Sequence, residues 1–310
     1  MAMADGERMT ENHSQMSVIP SEVMDSGQRS DVVYVGVFHS FELIYKNEPC
    51  MYKMPPHNHN AIEIYFNMTD LSGVLLGTKV SSLPKNTLIV IPPYCVHKII
   101  APMDICYKRF ILTINTSWFE NLISEADKEK YSYLTDAQNP SIMYLEHEQK
   151  TELEERFRCL SQADSKNFFG QMQYFFSILD WIHRCYLASE KGPDDNAGNQ
   201  VSGTARTVSD ILSYISLHLY ENITVEEIAE NLFLNHDYVS RIFKKYMNIT
   251  IKQFITVQRI TRAKQLLKEG KSVAETQALL GYGSYEHFFR TFKKITGMTP
   301  KEFLTTGGKN

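Results

Sequence analysis

The sequence has few cysteines, no long apolar run and little net charge. Its five cysteines are odd in number, scattered and never spaced as Cys-x-x-Cys, which argues against a disulfide framework or a zinc knuckle and favours a reducing cytosol. No apolar stretch approaches the roughly 20 residues that a membrane helix needs. The first 30 residues also lack the apolar core of a signal peptide. We therefore expect a cytoplasmic protein with no membrane segment.

The net charge of -4 hides an uneven distribution. Residues 201–310 carry 15 Lys and Arg against 10 Asp and Glu, whereas the first 200 residues carry 17 basic and 26 acidic side chains. A basic half joined to an acidic half indicates that only the second half meets phosphate. An excess of five positive charges is nevertheless ordinary for a soluble domain, so charge alone does not assign nucleic-acid binding.

Changes of pattern divide the chain into five parts. Residues 1–30 are polar and are predicted to be a disordered leader, while residues 31–115 carry short apolar runs broken by turn residues, a pattern typical of a β-sandwich or barrel. Residues 116–188 have helical apolar spacing, residues 189–206 form a polar linker, and residues 207–306 are helical. The predicted strands are Val32–Phe38, Phe41–Tyr45, Ile62–Phe66, Gly73–Leu76, Leu88–Ile91 and Tyr107–Ile114.

A repeat lies in the last third of the chain. Residues 241–254 and 290–303 are related by a constant offset of 49 and are identical at seven of fourteen positions, so one structural unit occurs twice. The identical pairs are Arg241/Arg290, Phe243/Phe292, Lys244/Lys293, Lys245/Lys294, Thr250/Thr299, Lys252/Lys301 and Phe254/Phe303.

Each copy has the signals of two short helices joined by a tight turn. A hydroxyl cap followed three residues later by Glu starts the first helix, and a second polar cap starts the helix that ends in Phe-Lys-Lys. A residue suited to left-handed backbone stops that helix. The caps are Thr224, Asn235 and the stop Asn248 in the first copy, and Ser272, Ser284 and the stop Gly297 in the second. This is a helix-turn-helix, with units over about 224–247 and 272–296, whose second helix fits a major groove about 12 Å wide.

A predicted helix over residues 252–268 connects the two units. Its apolar residues Phe254, Val257, Ile260 and Ala263 share one face with Leu266 and Leu267. Such a helix fixes the two recognition helices relative to each other, and successive major grooves on one face of a duplex lie about 34 Å apart. One chain is therefore expected to occupy both grooves of duplex DNA.

At this point the sequence resembles the AraC/XylS family of bacterial regulators over roughly Val208 to Leu304. The residues that carry the resemblance are Arg259-Ile260-x-x-Ala263-x-x-Leu266-Leu267, Gly281-Tyr282-x-Ser284-x-x-x-Phe288-x-Arg290-x-Phe292-Lys293-Lys294 and Gly297-x-x-Pro300. The resemblance implies a seven-helix DNA-binding domain, usually of an activator, paired with a ligand-sensing domain.

Thr276-Gln277 stands where the first unit has the smaller, more apolar Ile228-Ala229, so a less firmly docked second unit is expected. Leu304 stands where the family often has Arg.

The exposed early faces of the two recognition helices supply the candidate DNA contacts. Arg reads guanine with two hydrogen bonds, Glu accepts from cytosine, and aromatic rings pack on thymine methyls, whereas Lys contacts phosphate and adds affinity without sequence. Structural ion pairs for the arginines and plain solvation for Lys245 and Lys294 remain alternatives. The candidates are His236, Asp237, Ser240, Arg241, Lys244, Lys245, Tyr285, Glu286, Phe289, Arg290, Lys293 and Lys294.

The N-terminal half contains His57-Asn58-His59 followed by Glu63, and then His97 after Pro92-Pro93. Three imidazoles and a carboxylate can bind zinc or non-haem iron, and His57 and His59 point to one face of an extended strand. These residues are similar to the two short motifs of the cupin barrel, although Asn86 and Ala101 replace expected Gly and Asn. An organic-effector pocket, a structural remnant and a divalent-metal site all remain open, and we predict no other cofactor.

The predicted fold is an α+β multidomain chain: a cupin-like β-barrel, a helical segment for packing or dimerisation, and an all-α double helix-turn-helix domain. The predicted function is a transcription regulator, an activator by resemblance, that responds to a sugar or other metabolite in the barrel. The expected partners are double-stranded DNA, the effector, a second copy of the chain in a homodimer, and RNA polymerase. Because no complete catalytic set accompanies the His/Glu cluster, we predict no enzyme. The alternatives are a regulator controlled by protein partners and a cupin-type metalloprotein.

Overall fold

The structure is a computed structural model that describes residues 32–35, 40–49, 55–102, 105–164, 167–189 and 203–305. The predicted leader, residues 1–30, and residues 190–202 of the predicted linker lie outside the described residues.

The first half of the chain forms two antiparallel sheets. A six-stranded sheet has the order β1-β2-β8-β3-β6-β9, and a three-stranded sheet has the order β5-β4-β7. The strands are β1 (Val32–Val35), β2 (Phe41–Pro49), β3 (Ala61–Asn67), β4 (Leu71–Leu76), β5 (Lys79–Leu83), β6 (Thr87–Ile91), β7 (His97–Ile100), β8 (Cys106–Asn115) and β9 (Ser141–Tyr144). The prediction of a β-rich N-terminal domain is confirmed.

The described strands do not close into a single barrel, so the predicted cupin-like barrel is not found as such. Two open sheets replace it, because β4 pairs with β5 and β7 only, and β3 pairs with β6 and β8. The left-handed backbone of Asn86, with φ 61°, makes the turn before β6, a conformation that Asn tolerates better than most residues. One apolar cluster lies between the two sheets, and a second joins the six-stranded sheet to the helices that follow it.

After β8 the chain forms three α-helices, and β9, the last strand of the six-stranded sheet, lies between the first two. The helices are α1 (Thr116–Leu122), α2 (His147–Gln162) and α3 (Phe168–Ser189). Phe157 on α2 and Phe175 on α3 are fully buried in the main core, which α3 joins by stacking Phe175 on Phe41 at 4.4 Å between ring centroids. The prediction that residues 116–188 are all helical is wrong at β9, which pairs with β6. Four residues are too few to show an alternating pattern in the sequence. In the structure, Met143 is the one buried residue of β9.

Seven helices occupy residues 203–305. They are α4 (Gly203–Leu217), α5 (Val225–Asn231), α6 (His236–Met247), α7 (Ile251–Lys268), α8 (Val273–Leu279), α9 (Tyr285–Thr296) and α10 (Pro300–Thr305). The predicted linker, residues 189–206, overlaps α3 at Ser189 and α4 at residues 203–206, because α4 already begins at Gly203 and buries Ala205 in the core. Among the described helices, none combines the length and apolar character needed to cross a bilayer.

The predicted caps are confirmed in both units. The hydroxyls of Thr224 and Ser272 each accept a hydrogen bond from the backbone N–H of a Glu three residues later. The carboxylate of that Glu accepts one from the backbone N–H of the cap residue, so the first helix of each unit begins with a capping box. Asn235 and Ser284 cap the second helices. Those helices end at the left-handed Asn248, with φ 62°, and Gly297, with φ 78°. Residues 251–268 form the connecting helix, as predicted.

The C-terminal helices have two cores. The first gathers α4, α5, α6 and the start of α7 around the fully buried Phe243, and it also includes Leu75, Val80 and Val96 from the first half of the chain. The second gathers the end of α7 with α8, α9 and α10 around Phe292. The small sheet and the first helix-turn-helix unit therefore share one hydrophobic core.

Candidate functional site

Helix α6 presents a polar face, with Asp237 in its first turn and Lys244 and Lys245 in its last turn. Arg241 is exposed, its guanidinium lies 6.0 Å from the ring centroid of Tyr238, and no acidic partner is found for it among the described residues. Asp237 and His236 are exposed and contact each other at 3.2 Å, and His236 also lies 3.3 Å from Glu226. Ser240 is half-buried, and Lys244 and Lys245 are exposed.

Helix α9 presents a matching but more aromatic face. Tyr285 is exposed and lies 6.1 Å, between ring centroids, from the half-buried Phe289. Arg290 lies 3.7 Å from Glu286, and both side chains are largely exposed. The exposed Lys293 and Lys294 lie in the last turn of the helix. Since the two arginines occupy equivalent positions, the Glu286 contact is a difference between the copies.

The second unit departs from the first where the sequence suggested. Thr276 is fully buried, and its hydroxyl has no hydrogen-bond partner among the described residues. Gln277 is half-buried and donates its amide to the carbonyl of Tyr282, which tightens the turn. In that turn Gly281 has φ +67°, and a Cβ there would lie 2.5 Å from the carbonyl oxygen of Tyr220. Leu304 is exposed on α10.

The four ligand candidates of the N-terminal half come together in space. Ring centroids of His57 and His97 lie 4.3 Å apart, and those of His59 and His97 lie 5.0 Å apart. One ligand atom from each imidazole falls within 4.8 Å of the other two. Glu63 on β3 places Oε2 2.8 Å from Nε2 of His59 and 3.8 Å from Nε2 of His97. The predicted grouping forms even though β3 begins only at Ala61, because His57 pairs with His97 through two backbone hydrogen bonds.

The charge state of this cluster follows from its burial. Burial lowers the pKa of His57, and it lowers the pKa of His97 to about 4. Burial alone would raise the pKa of Glu63, but the hydrogen bond from His59 and the neighbouring imidazoles together hold it below its ordinary value. At neutral pH the cluster therefore presents neutral His57 and His97 imidazoles beside an ionised carboxylate, which is the protonation state that a divalent metal or a hydrogen-bonding ligand requires.

A cavity of roughly 470 Å³ opens beside the cluster. His57, Glu63 and His97 lie in its wall, and Lys245 and Tyr246 of α6 line it too. The rest of the lining is mostly apolar or cationic: Lys46, Tyr65, Ser72, Lys98, Ile99, Ile100, Ala101, Tyr107, Arg109 and Ile111. Lys245, predicted from the sequence as a phosphate contact, thus lies beside the cavity as well as at the end of a recognition helix.

Sequence reasoning missed the residue that joins the cavity to the recognition helix. Lys98 is 4% exposed, and its Nζ donates to the carbonyl of Tyr246 at 2.7 Å. That carbonyl lies in the last turn of α6, where helical acceptors lack intrahelical donors and a cation is favoured. The one available signal was the lysine's position in an apolar run, Val96 to Ala101, where a charged side chain needs a partner.

The fold and its exposed faces define the C-terminal part as a helix-turn-helix DNA-binding domain, and residues 228–306 match the family model described as a helix-turn-helix domain. Among curated proteins, the melibiose operon regulatory protein of Escherichia coli K12 is 35% identical over 107 residues, which cover 34% of this chain and 35% of that protein. The xylose operon regulatory protein of Haemophilus influenzae is 35% identical over 109 residues, covering 35% and 28% of the two proteins.

A solved transcriptional regulator with an AraC-type DNA-binding domain, from Chromobacterium violaceum, is 23% identical and covers 35% of this chain and 97% of its own, with a TM-score of 0.33. The chain thus spans about a third of the length of the curated relatives named above, and the similarity lies in the DNA-binding part. The family model and the two curated relatives support a helix-turn-helix DNA-binding unit in the C-terminal helices. These matches do not support the predicted cupin-like sensor domain.

Proposed function

We propose that the protein is a sequence-specific, DNA-binding transcription regulator of the cytoplasm whose activity responds to a small-molecule effector. The observation that carries this proposal is the pair of equivalent recognition helices, α6 and α9, held by one continuous helix, α7. Each helix has an exposed Arg one turn before exposed Lys residues. This arrangement suits base reading followed by phosphate contacts.

The first recognition helix is proposed to anchor specificity. Its Arg241 forms no ion pair among the described residues, although Asp237 lies one turn earlier on the same helix. Arg290 on the second helix, in contrast, lies 3.7 Å from Glu286. The second helix then adds adjustable contacts through Tyr285 and Phe289. Substitution of Arg241 by Ala should weaken specific binding by about 1–3 kcal/mol, the value of a bidentate guanine contact.

The effector is proposed to occupy the cavity beside His57, Glu63 and His97. Its volume suits a small metabolite, and its polar wall supplies hydrogen bonds to a sugar or a similar compound. The names of the melibiose and xylose operon regulators support a sugar. Because Lys245 and Tyr246 belong to the same wall, an occupant would change the surroundings of the first recognition helix directly.

A homodimer and an activating role complete the proposal. Helix α3 leaves Phe169 81% exposed and Phe176 43% exposed, one heptad apart and therefore on a common face. A second copy of the chain would cover this face and place two DNA-binding domains on paired sites. Contact with RNA polymerase at an adjacent promoter would then give activation.

The test is fluorescence anisotropy of the full chain with duplexes from upstream of its own and neighbouring genes. Wild type should bind one such duplex tightly in moderate salt, and Arg241→Ala should bind at least fivefold more weakly. Arg184→Ala is the matched control, since Arg184 is an exposed Arg paired with Asp180 on α3. Equal binding by both variants would contradict the placement of α6.

The effector is tested by thermal shift with sugars and other metabolites. A compound that stabilises wild type should give a smaller shift with Ile100→Trp, which narrows the cavity, and should change the affinity for the duplex. A compound that stabilises both proteins equally would place its site elsewhere. Sedimentation of wild type and of Phe169→Ser tests the proposed dimer.

A further inference from the structure

We propose that the ring of Phe233, in the turn of the first helix-turn-helix unit, packs on a thymine methyl group at the edge of the major groove that α6 enters. Phe233 lies outside both recognition helices, and it reads the sequence by apolar contact rather than by hydrogen bonds. The contact deepens the proposed function and rests on it, because it requires α6 to be a DNA-reading helix.

The side chain of Phe233 is the most exposed large apolar group in the described part of the chain. It is 95% exposed, so its ring gains nothing from burial in the free protein. Isolated exposed apolar side chains are common on protein surfaces. The exposure therefore gains its meaning from the backbone that carries the ring.

The backbone of Phe233 is left-handed, with φ 55°. A Cβ atom disfavours this conformation, which Gly adopts freely and Asn tolerates, and a bulky residue there is an outlier. Asn248, the stop of α6, is the kind of residue expected at such a position. Strained backbone of this kind clusters at functional sites, and here the strained residue holds its ring in solvent.

The second unit shows that the turn does not need a phenylalanine at this position. Phe233 and Gly281 are the ninth residues after the N-caps of α5 and α8. Their N–H groups donate to the carbonyls of Glu230 at 3.1 Å and Ala278 at 3.3 Å, and Gly281 is left-handed as well, with φ 67°. One copy of the repeat therefore has the residue that the backbone favours, while the other copy has an exposed aromatic ring.

The position of Phe233 places its ring beside the DNA-reading face of α6. It stands two residues before Asn235, the N-cap of α6, and the exposed surface continues through His236 and Asp237. A recognition helix turns its N-terminal residues toward the base edges. Three Cα–Cα steps of about 3.8 Å separate Phe233 from His236, so the ring lies within reach of the edge of the same groove.

A thymine methyl group is the chemical target that this ring fits. In the major groove, thymine is the base that presents an apolar group, its C5 methyl, and Phe is one of the side chains that contact it. Phe233 has no charge for a phosphate, and the neighbouring Glu230 and Asp237 are acidic and exposed, which disfavours a contact with the DNA backbone at this edge. The ring is therefore assigned to a base and not to a phosphate.

The contact is tested by fluorescence anisotropy of the full chain on the duplex that it binds specifically, with each thymine replaced in turn by deoxyuridine, which lacks only the methyl group. One replacement should weaken wild-type binding roughly fourfold, the worth of one buried methyl group. Phe233→Asn should bind the intact duplex at least fourfold more weakly and should not respond to that replacement. Phe233→Trp should keep the preference for the methyl group. Leu217→Asn, which changes another exposed apolar side chain, on α4, should bind as wild type does.

A stability measurement separates the contact from a structural role of the ring. Because Asn tolerates left-handed backbone better than Phe does, Phe233→Asn should raise the melting temperature of the free protein by a few degrees. A lower melting temperature would show that the ring packs within the free protein, and it would overturn the contact.

Other results would overturn it as well. Wild-type affinity in Phe233→Asn would place the ring away from the groove, and weaker binding without a methyl-sensitive thymine would remove the thymine contact. Unchanged duplex binding with lost transcription activation would assign the ring to a protein partner. If wild type binds no duplex, the proposed function itself fails. If wild type binds and only the expectations for Phe233 fail, the proposed function stands without this contact.

Discussion

The substitution Thr276→Val should stabilise the second helix-turn-helix unit. Thr276 is fully buried on α8, and its hydroxyl has no partner among the described residues. A buried hydroxyl without a hydrogen bond costs about 1–3 kcal/mol, and Val has the same shape with a methyl group in its place. The variant should therefore gain about 1–2 kcal/mol in free energy of unfolding.

A matched control is Thr261→Val on α7. Thr261 is also buried, but its hydroxyl donates to the carbonyl of Val257 at 2.9 Å and accepts from Asn58. The same substitution removes both bonds and leaves the Asn58 donor unpaired, so a loss of about 1–2 kcal/mol is expected. The two variants carry the same chemical change and should move stability in opposite directions.

The assay is thermal and urea unfolding of the full chain, read together with hydrogen exchange in α8 and α9. A gain of this size corresponds to a rise in the melting temperature of several degrees, about 4–8 °C per kcal/mol for a domain of roughly 60–100 residues. A loss of 1 kcal/mol or more in Thr276→Val would show that the hydroxyl is satisfied in solution. That result would refute the expectation that an unpaired Thr276 hydroxyl destabilises the second unit.

Three further outcomes are expected. Arg241→Ala should reduce operator discrimination more than Arg290→Ala, measured as the affinity ratio between specific and scrambled duplexes; the reverse order would give the second helix the leading role. Gly281→Ala should lower the free energy of unfolding by about 3 kcal/mol or more, since the added Cβ meets a backbone carbonyl and the backbone is left-handed there. The control Gly283→Ala, with open space around the added Cβ, should stay near wild type in chemical denaturation. Thr224→Ala should lose about 1 kcal/mol through its cap, seen as faster hydrogen exchange in α5.

The sequence could predict the C-terminal helices because their signals are local. Thr224 and Ser272 start helices by bonding amides three residues away, and Asn248 and Gly297 end helices by their own backbone angles. The strands β5, β7 and β9 were not predicted. Each has five residues or fewer, too short for an alternation to show. The strands β7 and β9 are also set by pairing with strands that do not adjoin them along the chain, whereas β5 pairs with β4 directly before it.

The candidate site was predictable in part for the same reason. His57, His59 and Glu63 lie within seven residues, so their grouping follows from chain geometry, and His97 joins them by pairing with His57. The roles of Asn58 and Lys98 depend on helices about 150–200 residues further along the chain. No local pattern carries that information, because a polar residue in an extended segment looks the same with or without a distant partner.

The two hydrophobic cores of the C-terminal helices meet within α7, and this determines which parts of the molecule unfold together. Ile251, Phe254 and Ile255 belong to the core shared with the small sheet, while Ile260 and Leu267 belong to the other. The boundary between the two cores therefore runs through the middle of one helix, near residues 256–259, and not between the β-rich half and the helices. A fragment cut before α4 would lose Leu75, Val80 and Val96 from its first unit. The second recognition helix, in contrast, packs in a core whose buried residues all come from the C-terminal helices and their turns.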